Sequence, residues 1–245
     1  MTLLAERRVG DLVAERPERA RVLEQFAIDY CCGGQRSLAD ACRQRNLSVA
    51  DVERALDIKE ERTTDQPDWT QVPLATLVAD IVDRHHTYLR AELPRLGAML
   101  DKVVARHGDS HAFLHELQRT YIAMWEELAN HMLKEELVLF PHVVRLEEAD
   151  ASGLPAPRFH CGTVMQPIHV MEDEHRSAGN ALAKMRDLTN GYRPPADACS
   201  TWLALWHGLE ALEADLHLHI HKENNILFPR AAALESSLPL DAGLD

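Results

Sequence analysis

The sequence predicts an all-α protein, a small N-terminal helical domain followed by an up-down four-helix bundle. Three observations carry that prediction. Apolar residues recur at helical spacing through most of the chain, and no stretch between residues 73 and 235 alternates as a strand would. A histidine–glutamate motif is also written twice at a fixed separation. With 245 residues, 46% hydrophobic and 27% charged, the chain has ample apolar material for a folded core.

Residues 1–58 read as a compact helical domain. Pro17 suits the first turn of a helix carrying Ala20, Val22, Leu23 and Phe26. Asp29-Tyr30-Cys31-Cys32-Gly33-Gly34 then breaks the pattern, and the paired glycines are expected to supply backbone angles other residues resist. Ser37-Leu-Ala-Asp40 and Ser48-Val-Ala-Asp51 each open a short helix with an acidic variant of the capping box. Residues 59–72 are polar and aperiodic, which makes them the linker. The bundle domain is 73–235, with long helices expected at roughly 73–106, 110–146, 163–190 and 197–230. Ser110 and Asp197 are the expected N-caps. Asn190-Gly191, followed by Pro194-Pro195, stops the third helix. Residues 148–162, with Gly153, Pro155, Pro157 and Gly162, form a loop.

Charge narrows the function. Lys+Arg number 26 against Asp+Glu 39, a net charge of −13 carried mostly beyond residue 58. Such a surface repels phosphate backbones, so no nucleic-acid partner is expected. No apolar run approaches the roughly 18 residues a membrane helix needs, so no membrane is expected either. The first ten residues carry Glu6, Arg7 and Arg8 and lack an apolar signal core, which makes a cytoplasmic protein the default. Five cysteines, an odd count with two adjacent, make no disulfide framework. The 14 histidines are the abnormal number.

The repeat explains six residues, four of them histidines. His131-Met-Leu-Lys-Glu135 leads to Phe140-Pro141, and His219-Ile-His-Lys-Glu223 leads to Phe228-Pro229. Each element of the second copy lies 88 residues after its counterpart. His175 follows His86 by nearly the same offset, so the chain reads as two helical hairpins, each supplying a His and then a His and a Glu. Spacing of four puts His131 over Glu135 and His219 over Glu223 on one helix face, roughly 6 Å apart. Those faces are otherwise apolar: Met124, Leu128, Val138 and Leu139 surround the first pair, and Leu212, Leu216, Ile226 and Leu227 the second. His86 lies on the stripe Val78, Val82, Leu89, Leu93, and His175 on the stripe Ile168, Met171, Ala178, Leu182. Burying carboxylates and imidazoles there is costly unless they are paired or bind metal. Carboxylates bridge cations, imidazole suits iron, and bundle cores hold di-iron carboxylate sites. The set reads as a non-haem centre of two iron ions, with Glu135 and Glu223 bridging.

A lone inward histidine is more often a hydrogen-bonded core residue, and only repetition lifts these above that reading. His85 falls on the face of Glu92 and Arg95, which reads as solvated, so His86 is the ligand of the adjacent pair. His142 shares the stripe of Glu135 but has Arg230 as its repeat partner and is set aside. His217 and His221 flank His219 at the wrong angle and read as surface residues. Glu127 and Glu174 lie near ligands, where a supporting hydrogen bond and plain surface placement are equal expectations.

The Asp29–Gly34 motif, followed by His131-x3-Glu135 and His219-x3-Glu223-Asn-Asn-Ile-Leu-Phe-Pro-Arg230, resembles the repair of iron centres family. These are hemerythrin-like di-iron proteins of the YtfE/ScdA type, and the resemblance covers roughly residues 3–232. It implies metal ligands at His86, His131, Glu135, His175, His219 and Glu223. It also implies restoration of iron–sulfur clusters after oxidative or nitrosative stress, by iron donation or by reduction of nitric oxide. Damaged iron–sulfur proteins would be partners, with NO or O2 as small ligands, and a homodimer is left open. The alternative is a hemerythrin-like O2 or NO carrier or sensor without turnover. The longer loop 148–167, with His160 and Cys161, departs from the family pattern.

Cys31 and Cys32 admit two readings. Free cysteine packs as a small hydrophobe. Alternatively, thiols beside the backbone N–H groups of a Gly-Gly turn have a lowered pKa and act in redox or iron transfer. The resemblance favours the thiol role, and a pure gas carrier needs no such module. Cys42 and Cys199 read as structural.

Overall fold

In a computed structural model of the chain, residues 4–57, 67–159 and 162–239 are described. Residues 59–66 of the expected linker, and His160 and Cys161 of the long loop, lie outside them. The all-α expectation holds. Among the described residues no strand forms, and the only β features are the isolated bridges Arg8–Ser37 and Phe159–Gly162. The chain divides into two compact units, Met1–Val78 with Val143–Met165 and His217–Asp245, and Ala79–His142 with Gln166–Leu216.

The first unit begins with a 3-10 turn, Leu4–Glu6, then α1 (Val9–Glu15), α2 (Arg19–Gln25), α3 (Leu38–Gln44) and α4 (Val49–Leu56). Ser37 caps α3 by accepting from the Asp40 amide at 3.1 Å, and Ser48 caps α4 by accepting from the Asp51 amide at 3.4 Å, as the capping-box spacing predicts. The core joins Leu12, Leu23, Leu38 and Leu56 to Ile220 from the far end of the chain. Burying each such side chain stabilises the unit by about 1.5–3 kcal/mol. The end of the expected linker is held in this unit. Trp69 is buried beneath the Lys222 ammonium at 4.8 Å, and the Arg230 guanidinium donates to the carbonyls of Trp69 and Val72.

Three of the four long helical runs are interrupted. The first consists of α5 (Leu74–Asp80), a π-helical turn Ile81–His86 and α6 (Thr87–His107). The second is α7 (Phe113–Lys134), a π turn Glu135–Leu139 and α8 (Phe140–Ser152). The third is α9 (Met165–Leu188) alone; the fourth is α10 (Ser200–Lys222), a π turn Glu223–Leu227 and α11 (Phe228–Ser237). Two expected caps shift: α7 starts beyond Ser110 with Ala112 at its N-cap, and α10 starts three residues past Asp197. The stop at Asn190-Gly191 is as expected. Both residues have positive φ, 51° and 70°, and the Gly191 amide donates to the Arg186 carbonyl at 2.8 Å.

The second unit is a four-helix bundle built from α6, α7, α9 and α10 up to Leu216. Its core takes Leu89, Leu93 and Leu96 from α6, Leu117, Tyr121 and Leu128 from α7, Leu182 from α9, and Trp202, Leu209 and Leu212 from α10. Tyr121 is wholly buried, and its hydroxyl donates to the Leu93 carbonyl at 2.8 Å. The π turns re-phase two of the stripes. Val138 was expected inward but is 37% exposed, whereas Leu139 is buried. Ile81 is buried and Val82 only half-buried. One extra residue in a turn rotates everything beyond it by about 100°.

Candidate metal centre

The Phe-Pro pairs explain two of the π turns. The Phe140 amide bonds the Glu135 carbonyl five residues back, and the Phe228 amide bonds the Glu223 carbonyl in the same way. Pro141 and Pro229 follow with no N–H to donate, and a proline ring would clash with the carbonyl four residues before it in a regular helix. The wide turn accommodates both facts and opens the helix at each glutamate.

In the second unit, four of the expected ligands converge. His86, His131, Glu135 and His175 are each at most 1% exposed. Glu135 turns one carboxylate oxygen to each of two rings: Oε2 is 3.3 Å from His86 Nε2, and Oε1 is 3.2 Å from His131 Nε2. His175 Nε2 lies 3.0 Å from His131 Nε2. Ligand atoms of His131, Glu135 and His175 all lie within 4.8 Å of one another. Two cis nitrogens bound at about 2.1 Å to one six-coordinate cation would stand about 3.0 Å apart. The donor set fits a divalent cation with nitrogen and oxygen ligands.

Outer carboxylates fix both rings. Glu136 Oε1 is 2.6 Å from His86 Nδ1, and Glu174 Oε2 is 2.8 Å from His131 Nδ1. With Nδ1–H donated outward, each Nε2 lone pair faces Glu135. Partial burial pushes both outer carboxyls up, but hydrogen bonds from His86 and Arg90 to Glu136, and from Lys134 and His131 to Glu174, outweigh it and hold both below the usual range. Phe140 stacks on His86 with ring centroids 5.8 Å apart. Glu174 thus has the supporting role. Glu127 instead accepts from Ser177 on the exposed face.

In the first unit the second copy of the motif has the same geometry. His219 Nε2 is 3.0 Å from Glu223 Oε1, and both residues are buried.

Several histidines sit elsewhere than expected. His85 is buried as well as His86, and its Nδ1 is 2.9 Å from Asp215 Oδ1. His221 is buried rather than on the surface. Burial pushes its pKa down to about 4, and its ring stands edge-on to Tyr30 with centroids 5.6 Å apart. His217 is half-buried and also edge-on to Tyr30. His142, by contrast, is fully buried, as its place on the stripe of Glu135 implies. His85 meets Asp215, and His217 and His221 meet Tyr30, contacts with other segments that helical phase alone cannot show.

The cysteine turn differs from expectation in three ways. The N–H groups of Cys31 and Cys32 are taken by Asp29 Oδ1, at 3.1 and 2.9 Å, rather than by thiolates. The Cys31 thiol is pushed up, not down, by its hydrogen bond to Cys32, by burial and by the neighbouring Asp29 charge. Nor do Gly33 and Gly34 take positive φ. Close approach requires them. A Cβ on Gly33 would meet the Asp29 carbonyl at 2.9 Å, and one on Gly34 would meet the Tyr30 carbonyl at 2.6 Å and collide with Asn225. Cys42 is buried in the first unit as expected, but Cys199 is exposed at the start of α10.

Residues 77–231 match the hemerythrin HHE cation-binding domain, which spans both H-x3-E motifs and every residue of the converged set. Residues 5–59, including the cysteine turn, match a domain of unknown function, DUF542. The chain is 37% identical over 223 residues to the iron-sulfur cluster repair protein YtfE of Pectobacterium atrosepticum, covering 91% of this chain and 95% of that one. The YtfE proteins of Yersinia pseudotuberculosis (38%) and Yersinia pestis (37%) match over the same shares. The chain belongs to the hemerythrin-like family of these repair proteins. As a family member it carries an iron-binding HHE domain, and no helix among its described residues is long and apolar enough to cross a membrane.

Proposed function

We propose that this chain holds two iron ions through His86, His131, His175 and His219, with Glu135 and Glu223 as bridges. With them it restores iron–sulfur clusters damaged by oxidative or nitrosative stress. One observation carries the reading: Glu135 presents one oxygen to each of two buried imidazoles, the posture of a carboxylate shared by two cations. The buried His219–Glu223 pair supports a second bridge, and the name borne by the relatives supports the cellular role.

Bound iron supplies open coordination positions for a small ligand such as NO or O2, and an ion that can leave for an incomplete cluster. The chain's own groups do the rest. Glu136 and Glu174 hold the outward protons of His86 and His131. Leu128, Met132 and Leu139, the apolar residues flanking His131 and Glu135 along the chain, are buried. Partners are proteins with damaged clusters, met in the cytoplasm, and the acidic exterior does not repel a ferrous ion.

Metal analysis and absorption spectroscopy of protein from iron-replete cells, followed by incubation with a cluster-damaged enzyme, test this. Two irons per chain and recovered enzyme activity are expected. One zinc and no iron would sink the metal assignment. Reversible gas binding at two irons with no recovery would favour the carrier or sensor instead.

A further inference from the structure

A second cluster of ligating atoms lies in the first unit. Asp29, Cys31 and Cys32 bring one carboxylate oxygen and two sulfurs within 4.8 Å of one another. Consecutive side chains of an extended segment point to opposite sides. Here the turn swings both sulfurs together, with Sγ to Sγ at 3.9 Å and Cys31 Sγ to Asp29 Oδ1 at 3.4 Å. Two sulfurs bound at about 2.3 Å to one tetrahedral cation stand about 3.8 Å apart, and a sulfur and a carboxylate oxygen about 3.6 Å. The observed gaps match both.

The turn is held from behind rather than by the cluster itself. Asn225 Nδ2 donates to the Cys31 carbonyl at 3.0 Å, and the Gly10 amide donates to the Gly34 carbonyl at 2.9 Å. In front, Asp29 is exposed and Cys32 half-buried, so an ion can enter and leave from solvent.

We propose that Asp29, Cys31 and Cys32 form a separate site for one thiophilic divalent cation, bound by two thiolates and one carboxylate with a fourth position open. Binding replaces two S–H protons by two metal–sulfur bonds and releases both protons to water; no electron moves. The raised Cys31 pKa makes the proton a competitor for this site, so binding strengthens as pH rises. Three protein donors with an open position suit an ion in transit better than a structural one.

Cadmium titration of the iron-loaded full chain in weak buffer tests the site. One Cd2+ per chain is expected, with a thiolate-to-metal charge-transfer band and release of about two protons. Cys31→Ser and Cys32→Ser should each remove the band, and Asp29→Asn should weaken binding by about tenfold or more. An Asn side-chain oxygen can still accept the two backbone N–H groups, so Asp29→Asn preserves the turn. Far-UV circular dichroism and iron content, both expected unchanged, accompany each variant. Absence of the band in the parent chain, its survival in Cys32→Ser, or equal affinity in Asp29→Asn would each overturn the proposal. A chain from iron-replete cells that carries no iron yet still gives the cadmium band would instead count against the di-iron reading alone.

Discussion

Asn225, two residues past Glu223, donates its carboxamide to the carbonyl of Cys31 nearly two hundred positions earlier in the chain. The same side chain fills the notch that Gly10 and Gly34 leave open. The segment bearing one buried carboxylate therefore also sets the backbone of the cysteine turn.

Asn225→Ala should loosen that turn. It removes donors to the Cys31 and Tyr30 carbonyls and should cost about 1–2 kcal/mol, read as a lower urea midpoint. Gly34→Ala should cost more, about 2–3 kcal/mol, because its Cβ meets the Tyr30 carbonyl oxygen, a backbone atom that cannot rotate away. Gly153→Ala, at φ 63° but in open space, should cost only about 1 kcal/mol of strain.

The adjacent pair His85 and His86 should separate cleanly. His86→Ala should lower iron content and perturb the iron absorption. His85→Ala should keep the iron but lose about 1–3 kcal/mol of stability, because it leaves Asp215 without its imidazole partner. Iron loss from the His85 variant alone would show that the imidazole assignment is off by one residue.

Glu136→Gln and Glu174→Gln should leave the fold intact yet release iron faster. Each replaces the charged acceptor that orients a ligand imidazole, an effect of about 10–100-fold in metal affinity. Iron transfer to a competing chelator measures it. Glu127→Gln, on the exposed face with Ser177, is the control and should behave as the parent.

Alkylation should rank the thiols. Exposed Cys199 should react with iodoacetamide at neutral pH, whereas Cys31, buried and with its pKa raised, stays protonated there. Because the thiolate is the nucleophile, the Cys31 rate should climb about tenfold per pH unit into the alkaline range without levelling near neutrality. A Cys31 rate equal to that of Cys199 at neutral pH, read by peptide mass spectrometry, would contradict the geometry of the turn.

The sequence by itself determined the helical class, the caps at Ser37 and Ser48, and the six repeated His and Glu positions, because each is a local or periodic signal. Helical spacing puts His131 and Glu135 on one face whatever surrounds them. Tertiary structure alone decided the rest. Glu136 and Glu174 became ring-orienting carboxylates because of which helix lies opposite, and His85 and His221 became buried for the same reason. The π turns belong to the tertiary structure: the sequence reads as helix straight through Phe140-Pro141 and Phe228-Pro229, and only the folded backbone shows that the helix widens there. At Gly33 and Gly34 the sequence named the right residues for the wrong cause. Their need is room for Asn225 and for neighbouring carbonyls, a contact between distant segments that leaves no period in the chain.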